Sequence, residues 1–196
     1  MAGLFLLLKL CFSTDNHYVY QQVPFQYSLH IQREAGAEPE HYEFLAEPDV
    51  DPRRQLIEQL LDLIPEDGCV LTYNQTFEKG VLRNLADLFP DLAGEIGKRL
   101  ENVRDLMVPF RRRDVYRWQM RGSYSIKEVL PAMVPELSYA GMEIADGMAA
   151  MQAYHDMCAL EPGEELEQLR RAMLEYCRLD TLAMVRVLSE LLKIGI

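Results

Sequence analysis

The sequence predicts an α/β domain built on a mixed central sheet with helices packed on its faces. Three observations predict it. Three strand-like segments come first, at residues 4–12, 25–31 and 41–45. Helical periodicities then alternate with short apolar strands. The 196 residues are 49% hydrophobic, enough for one sizeable core, and their 26% charge is too ordinary for a disordered chain. With no internal repeat and no low-complexity segment, residues 1–196 read as one domain.

Each element has its own reason. Residues 4–8 form an apolar run ended by Lys9. That run lacks the basic start, long apolar core and small-residue cleavage point of a leader, so it reads as a buried strand. Phe25-Gln26-Tyr27-Ser28-Leu29-His30-Ile31 alternates apolar with polar, the pattern of a half-buried strand. Residues 41–45 make a third strand after a turn at 35–38. Pro52 suits the first turn of a helix, and Leu56, Ile57, Leu60, Leu61 and Ile64 follow at helical spacing. Asp67-Gly68 is a turn, residues 69–73 a short buried strand, and Asn74 a helix cap. The helix after it stops at Pro90. A helix over 91–101 leads to a strand or strand end at 103–107. Helices follow at 125–133 and 147–157, and Glu161-Pro162-Gly163 breaks the chain before the last one.

Two carboxylates fall where carboxylates are costly. At about 100° per residue, residues 173–192 place Met173, Tyr176, Cys177, Met184 and Val187 on one face, with Asp180 among them. Tyr176 lies one turn before Asp180 on that face. The wheel for 77–89 gathers Phe77, Val81, Leu82, Leu85, Leu88 and Phe89 on one arc, with Glu78 inside it. A buried lone charge costs several kcal/mol unless something pairs with it, and a divalent metal ion is one such partner. An arginine or a helix end is another.

The bulk numbers exclude several classes. A net charge of −11 argues against a generic nucleic-acid-coating protein. Cys11, Cys69, Cys158 and Cys177 show no paired spacing and read as reduced thiols of a cytosolic protein. His17, His30, His41 and His155 are scattered and form no metal-ligand cluster. Nothing approaches the roughly 20 apolar residues of a transmembrane helix, so no membrane is expected as a partner.

One stretch opposes the acidic average. Residues 104–127 carry Arg104, Arg111, Arg112, Arg113, Arg117, Arg121 and Lys127 against Asp105 and Asp114, a net +5 that leaves −16 to the rest. Tyr116, Trp118 and Tyr124 are interleaved. Basic groups contact phosphates and aromatic rings stack on bases. The alternative is a solvated loop whose arginines pair with the acidic remainder.

These motifs carry a resemblance. Tyr176-x-x-x-Asp180 on the last helix resembles the third motif of the tyrosine branch of the DEDD exonucleases. Tyr73-Asn74-Gln75-Thr76-Phe77-Glu78 resembles the second, with Glu in place of Asp. Residues 24–30 and 122–131 resemble a bacterial family of unknown function within the ribonuclease-H-like exonucleases, and the likeness covers residues 20–193.

The resemblance implies a ribonuclease-H-like sheet whose first three strands are antiparallel and whose later strands are parallel. It also implies 3′–5′ hydrolysis of single-stranded nucleic acid by two magnesium or manganese ions held on four carboxylates. By position, Asp180 and Glu78 would be metal ligands and Tyr176 would orient the attacking water. Asn74, Arg111, Arg112, Arg113, Arg117, Arg121 and Lys127 would face the strand. Asp105 would be an accessory acid or a structural residue at a strand end.

The departure is in the first motif, Asp-x-Glu, where this chain has Leu7 and Lys9. No shifted register supplies the acids, since the first in the chain is Asp15. The strand at 4–12 has degenerated or the chain is an altered form of a longer protein with a partner domain. Lys9 would then neutralise Glu78 or Asp180 as an ammonium, and this chain would bind no metal. Two functions stay open: an exonuclease-like domain with impaired or absent catalysis, and a non-catalytic module that binds nucleic acid or protein.

Overall fold

The computed structural model describes residues 3–12, 22–34, 36–48 and 50–195. His17, Asp15, Ala35 of the expected turn and most of the segment after the first strand lie outside them. The strands are β1 (Gly3–Phe12), β2 (Gln22–Gln32), β3 (Glu40–Leu45), β4 (Val70–Thr72) and β5 (Val103–Asp105). The helices are α1 (Arg53–Leu63), α2 (Gln75–Leu88), α3 (Ala93–Glu101), α4 (Val108–Arg111), α5 (Ile126–Met133), α6 (Gly147–Ala159) and α7 (Glu164–Lys193). A single 3-10 turn covers Trp118–Met120.

The sheet runs β3-β2-β1-β4-β5. β1, β2 and β3 pair antiparallel, whereas β4 joins β1, and β5 joins β4, in parallel. Side chains alternate across β1, so its two faces feed different cores. Leu4, Leu6 and Leu8 pack with α1, α2 and α3 residues such as Leu56, Leu60, Leu82 and Ile96. Phe5 packs on the other face with Val129, Leu130, Met184 and Val187 of α5 and α7, and Cys11 with Tyr154, Met157 and Met173 of α6 and α7.

The structure corrects the reading of β2. Its alternation suggested one solvated face, yet Gln26, Ser28 and His30 are all buried. α7 lies across the polar face and supplies partners. Gln26 Nε2 donates to the Met173 carbonyl at 3.0 Å. Thr181 Oγ1 meets Ser28 Oγ and His30 Nδ1, each at 2.7 Å. Ser28 Oγ also meets His41 Nε2 at 2.9 Å, which brings two histidines that looked scattered to 4.5 Å between ring centres. Burial holds both imidazoles below their ordinary range, His30 at about 3 and His41 at about 4, with the neighbouring Arg178 adding to it. They are neutral at physiological pH, as a hydrogen-bonded core requires.

Thr181→Val keeps the shape and removes the shared hydroxyl. It is expected to cost about 1–3 kcal/mol in urea unfolding, the penalty for stranding buried polar partners. A loss below about 0.5 kcal/mol would mean that water replaces the hydroxyl freely.

Smaller corrections concern α1 and α2. Pro52 precedes α1 as its cap residue and does not sit in the first turn. Phe77 and Leu88, near the two ends of α2, are exposed, at 39% and 40%. Val81, Leu82 and Leu85 of the same arc are buried as read. Among the described residues no helix is long and apolar enough to cross a membrane.

Candidate functional site

The candidate site forms where β1, the start of α2 and the middle of α7 meet. Asp180 is buried at 7% exposure on the inward stripe of α7. Lys9 of β1 reaches it, with Nζ 3.1 Å from Oδ2. The other carboxylate oxygen accepts a 2.7 Å hydrogen bond from the Tyr139 hydroxyl. Both oxygens of Asp180 are therefore engaged by groups of the chain itself. Lys9 also stands 4.5 Å from the ring centre of Tyr176, whose π face favours a cation. The Tyr139 and Tyr176 rings lie 6.3 Å apart.

The electrostatics follow from this packing. Burial opposes the Lys9 ammonium, but Asp180, with lesser help from Cys177 and Tyr176, outweighs it and holds the lysine above its ordinary value. Burial and then the Asp180 charge push the Tyr176 phenol up to about 12. The same two causes raise Tyr139. Both phenols are thus donors at neutral pH.

Glu78 is 1% exposed, and its Oε2 has no hydrogen-bond partner. Burial pushes its carboxyl up to about 8, against weaker pulls from backbone N–H groups and from Lys9. The group is mostly protonated at pH 7, so the site holds one ammonium, one carboxylate and one neutral acid.

Lys9, Leu7 and Glu78 line one open groove of ≈ 610 Å³, together with Tyr73, Asn74 and Met148. Leu7 and Lys9 are two residues apart on β1, so they share a strand face. Asn74 holds the turn into α2 with φ +83°, the left-handed region that asparagine tolerates. Its side chain makes no capping bond, contrary to expectation. Its backbone N–H donates instead to Asp105 Oδ1 at 3.0 Å, and the Met107 N–H donates to the same oxygen at 3.0 Å. Asp105 thereby acts as a clamp between β5 and the β4–α2 turn.

Among the described residues no three His, Cys, Asp or Glu side chains converge as metal ligands. A different constellation, Ser28–His41–Glu43, has the residue types of a nucleophilic triad. It fails as one: Ser28 is fully buried, and His41 Nδ1 lies 3.9 Å from Glu43 Oε2. A second groove, of ≈ 770 Å³, runs along α7 past Ser138, Gln168, Arg171 and Glu175, and neither Glu78 nor Lys9 lines it.

The basic candidates divide. Arg117 Nη1 donates to the Ala132 carbonyl at 2.8 Å, and Lys127 Nζ donates to the Ala145 carbonyl. Arg111, Arg112, Arg113 and Arg121 are exposed. Tyr139 is the site residue that sequence reasoning missed. It lies outside any helix or strand, between α5 and α6, so no periodicity marks it.

The family model described as Domain of unknown function (DUF2779) matches residues 12–125. The chain belongs to this family. The matched stretch holds Asn74, Glu78 and the arginines from Arg111 to Arg121. Lys9, Tyr139, Tyr176 and Asp180 of this DUF2779 chain lie outside it. No curated protein and no solved structure matches the chain.

Proposed function

We propose that this chain is a ribonuclease-H-like, exonuclease-type domain that holds single-stranded nucleic acid without hydrolysing it. The reading rests on one observation: Lys9 Nζ sits 3.1 Å from Asp180 Oδ2, where the resemblance expects a metal ion. An ammonium there supplies one positive charge to Asp180 and leaves no vacancy for a divalent ion. Tyr139 closes the second oxygen. Glu78 carries a proton that a cation would have to displace. Magnesium or manganese does not fit this donor set, because both oxygens of Asp180 are engaged by Lys9 and Tyr139 and the Glu78 carboxyl is protonated, which leaves neither acid as a free anionic ligand.

Three features support the ancestry. The sheet is antiparallel through β3 and parallel beyond. The two carboxylates come from distant helices toward one lysine. Leu7 and Lys9 line the groove beside Glu78, as first-motif positions would.

Calorimetric titration with manganese tests the reading. The native chain is expected to show no binding in the micromolar range typical of carboxylate sites. Leu7→Asp combined with Lys9→Glu supplies two more acids and is expected to bind manganese and to trim a single-stranded oligonucleotide. Tight binding or hydrolysis by the native chain would overturn the proposal. A double variant that folds but neither binds nor cuts would mean that the first-motif register or the exonuclease ancestry is mistaken.

A further inference from the structure

Residues 108–124 connect β5 to α5 as an anchored loop. Phe110, Val115 and Met120 are its anchors, buried in the core beneath α5 and α7. The Arg117 bond to Ala132 staples its middle, and the Tyr73 hydroxyl donates to the Tyr124 carbonyl at 2.7 Å, fixing its end beside the groove. Between these anchors the loop turns large side chains outward. Trp118 is 78% exposed, and Tyr116 and Tyr124 are about half exposed. Arg111, Arg112, Arg113 and Arg121 are exposed beside them.

These arginines make no ion pair among the described residues, although the chain is rich in acids. No described acid therefore lies within ion-pair distance of these four arginines. Cations and flat rings follow one another along this exposed, anchored segment of a molecule that is otherwise strongly acidic.

We propose that this loop is the docking surface for single-stranded nucleic acid, with Trp118 as the stacking platform for a base and the arginines on the phosphates. The inference deepens the binding role proposed above and rests on it. Charge complementarity selects a polyanion, and the −16 of the remaining chain would repel it from other faces. The exposed rings select a polyanion with free π faces, which a single strand offers and a duplex hides in its stack. An acidic peptide matches the charge but not the rings. Tyr124, tied to Tyr73, leads the strand toward the groove that holds Asn74 and Glu78.

Trp118 is the sole tryptophan, so intrinsic fluorescence reads this surface directly. The full chain is titrated at about 50 mM salt with oligo(dT) and oligo(rU), a duplex and poly-glutamate, with anisotropy of a labelled strand in parallel. Expected are saturable quenching by both single strands and binding to duplex weaker by about tenfold. W118A should weaken the affinity read by anisotropy by about tenfold and W118F by less than about threefold, because phenylalanine still stacks. R111A/R112A/R113A should lower the salt dependence by about two phosphate contacts.

Strand binding with unchanged fluorescence and a neutral W118A would overturn this surface and leave the binding role standing. Absence of any oligonucleotide binding would overturn both. Quenching by poly-glutamate equal to that by oligo(dT) would make the loop an acidic-peptide site. Cutting of the strand on adding manganese would refute the silent-site reading and leave the docking surface intact.

Discussion

Replacing Lys9 with methionine is expected to destabilise the fold by about 3–5 kcal/mol at pH 7, the cost of leaving a buried carboxylate without its counter-charge. The stem of methionine fills the same space, so the loss reports charge and not volume. Asp180 keeps its bond from Tyr139, but one hydroxyl does not offset a full negative charge held at 7% exposure. Lys9→Met combined with Asp180→Asn removes both charges and should recover more than half of the loss. Urea unfolding of the two variants, compared at equal m-value, gives the answer. A single variant within about 1 kcal/mol of the parent would mean that the ion pair adds nothing in solution, as exposed pairs often do.

Glu78→Gln has the second large effect, and it depends on pH. The folded carboxyl ionises near 8, well above its ordinary value. Between about 4.5 and 8 the folded chain holds a proton that the unfolded chain has released. The native protein therefore has its full stability below that window and loses it as pH rises through 8. Glutamine cannot ionise, so the variant loses this slope. At pH 5 the two proteins should unfold alike. At pH 9 the variant should be more stable by roughly 3–5 kcal/mol, the linkage free energy of the net shift, in which the pull of Lys9 is already included. Denaturation midpoints at pH 5, 7 and 9 settle it. Parallel curves across that range would show that Glu78 meets solvent or a partner cation after all.

The two carboxylates were legible because helices have a period. Asp180 and Glu78 interrupt apolar stripes at fixed angular positions, and the burial of both follows from that spacing alone. Lys9 was legible in a weaker sense. A lysine inside an apolar strand needs a partner, but the chain offers 31 acids and no local rule selects one. The clamp at Asp105 and the bond from Tyr139 had no signal, since each depends on a turn geometry without period. The His30–His41 pair was invisible for a related reason. Register across β2 and β3 sets it, and register is decided by the whole sheet.

The amino-acid order by itself determined the α/β class, most element positions and the burial of the two acids, because these rest on periodicity and on turn residues close in sequence. Tertiary structure alone decided that α7 covers the polar face of β2, that Lys9 meets Asp180 across 171 residues, and that Trp118, Tyr116 and Tyr124 are turned outward while Phe110, Val115 and Met120 are buried. Those outcomes depend on which distant surfaces pack together. That choice minimises buried unpaired charge over the whole molecule, and no local segment carries the sum.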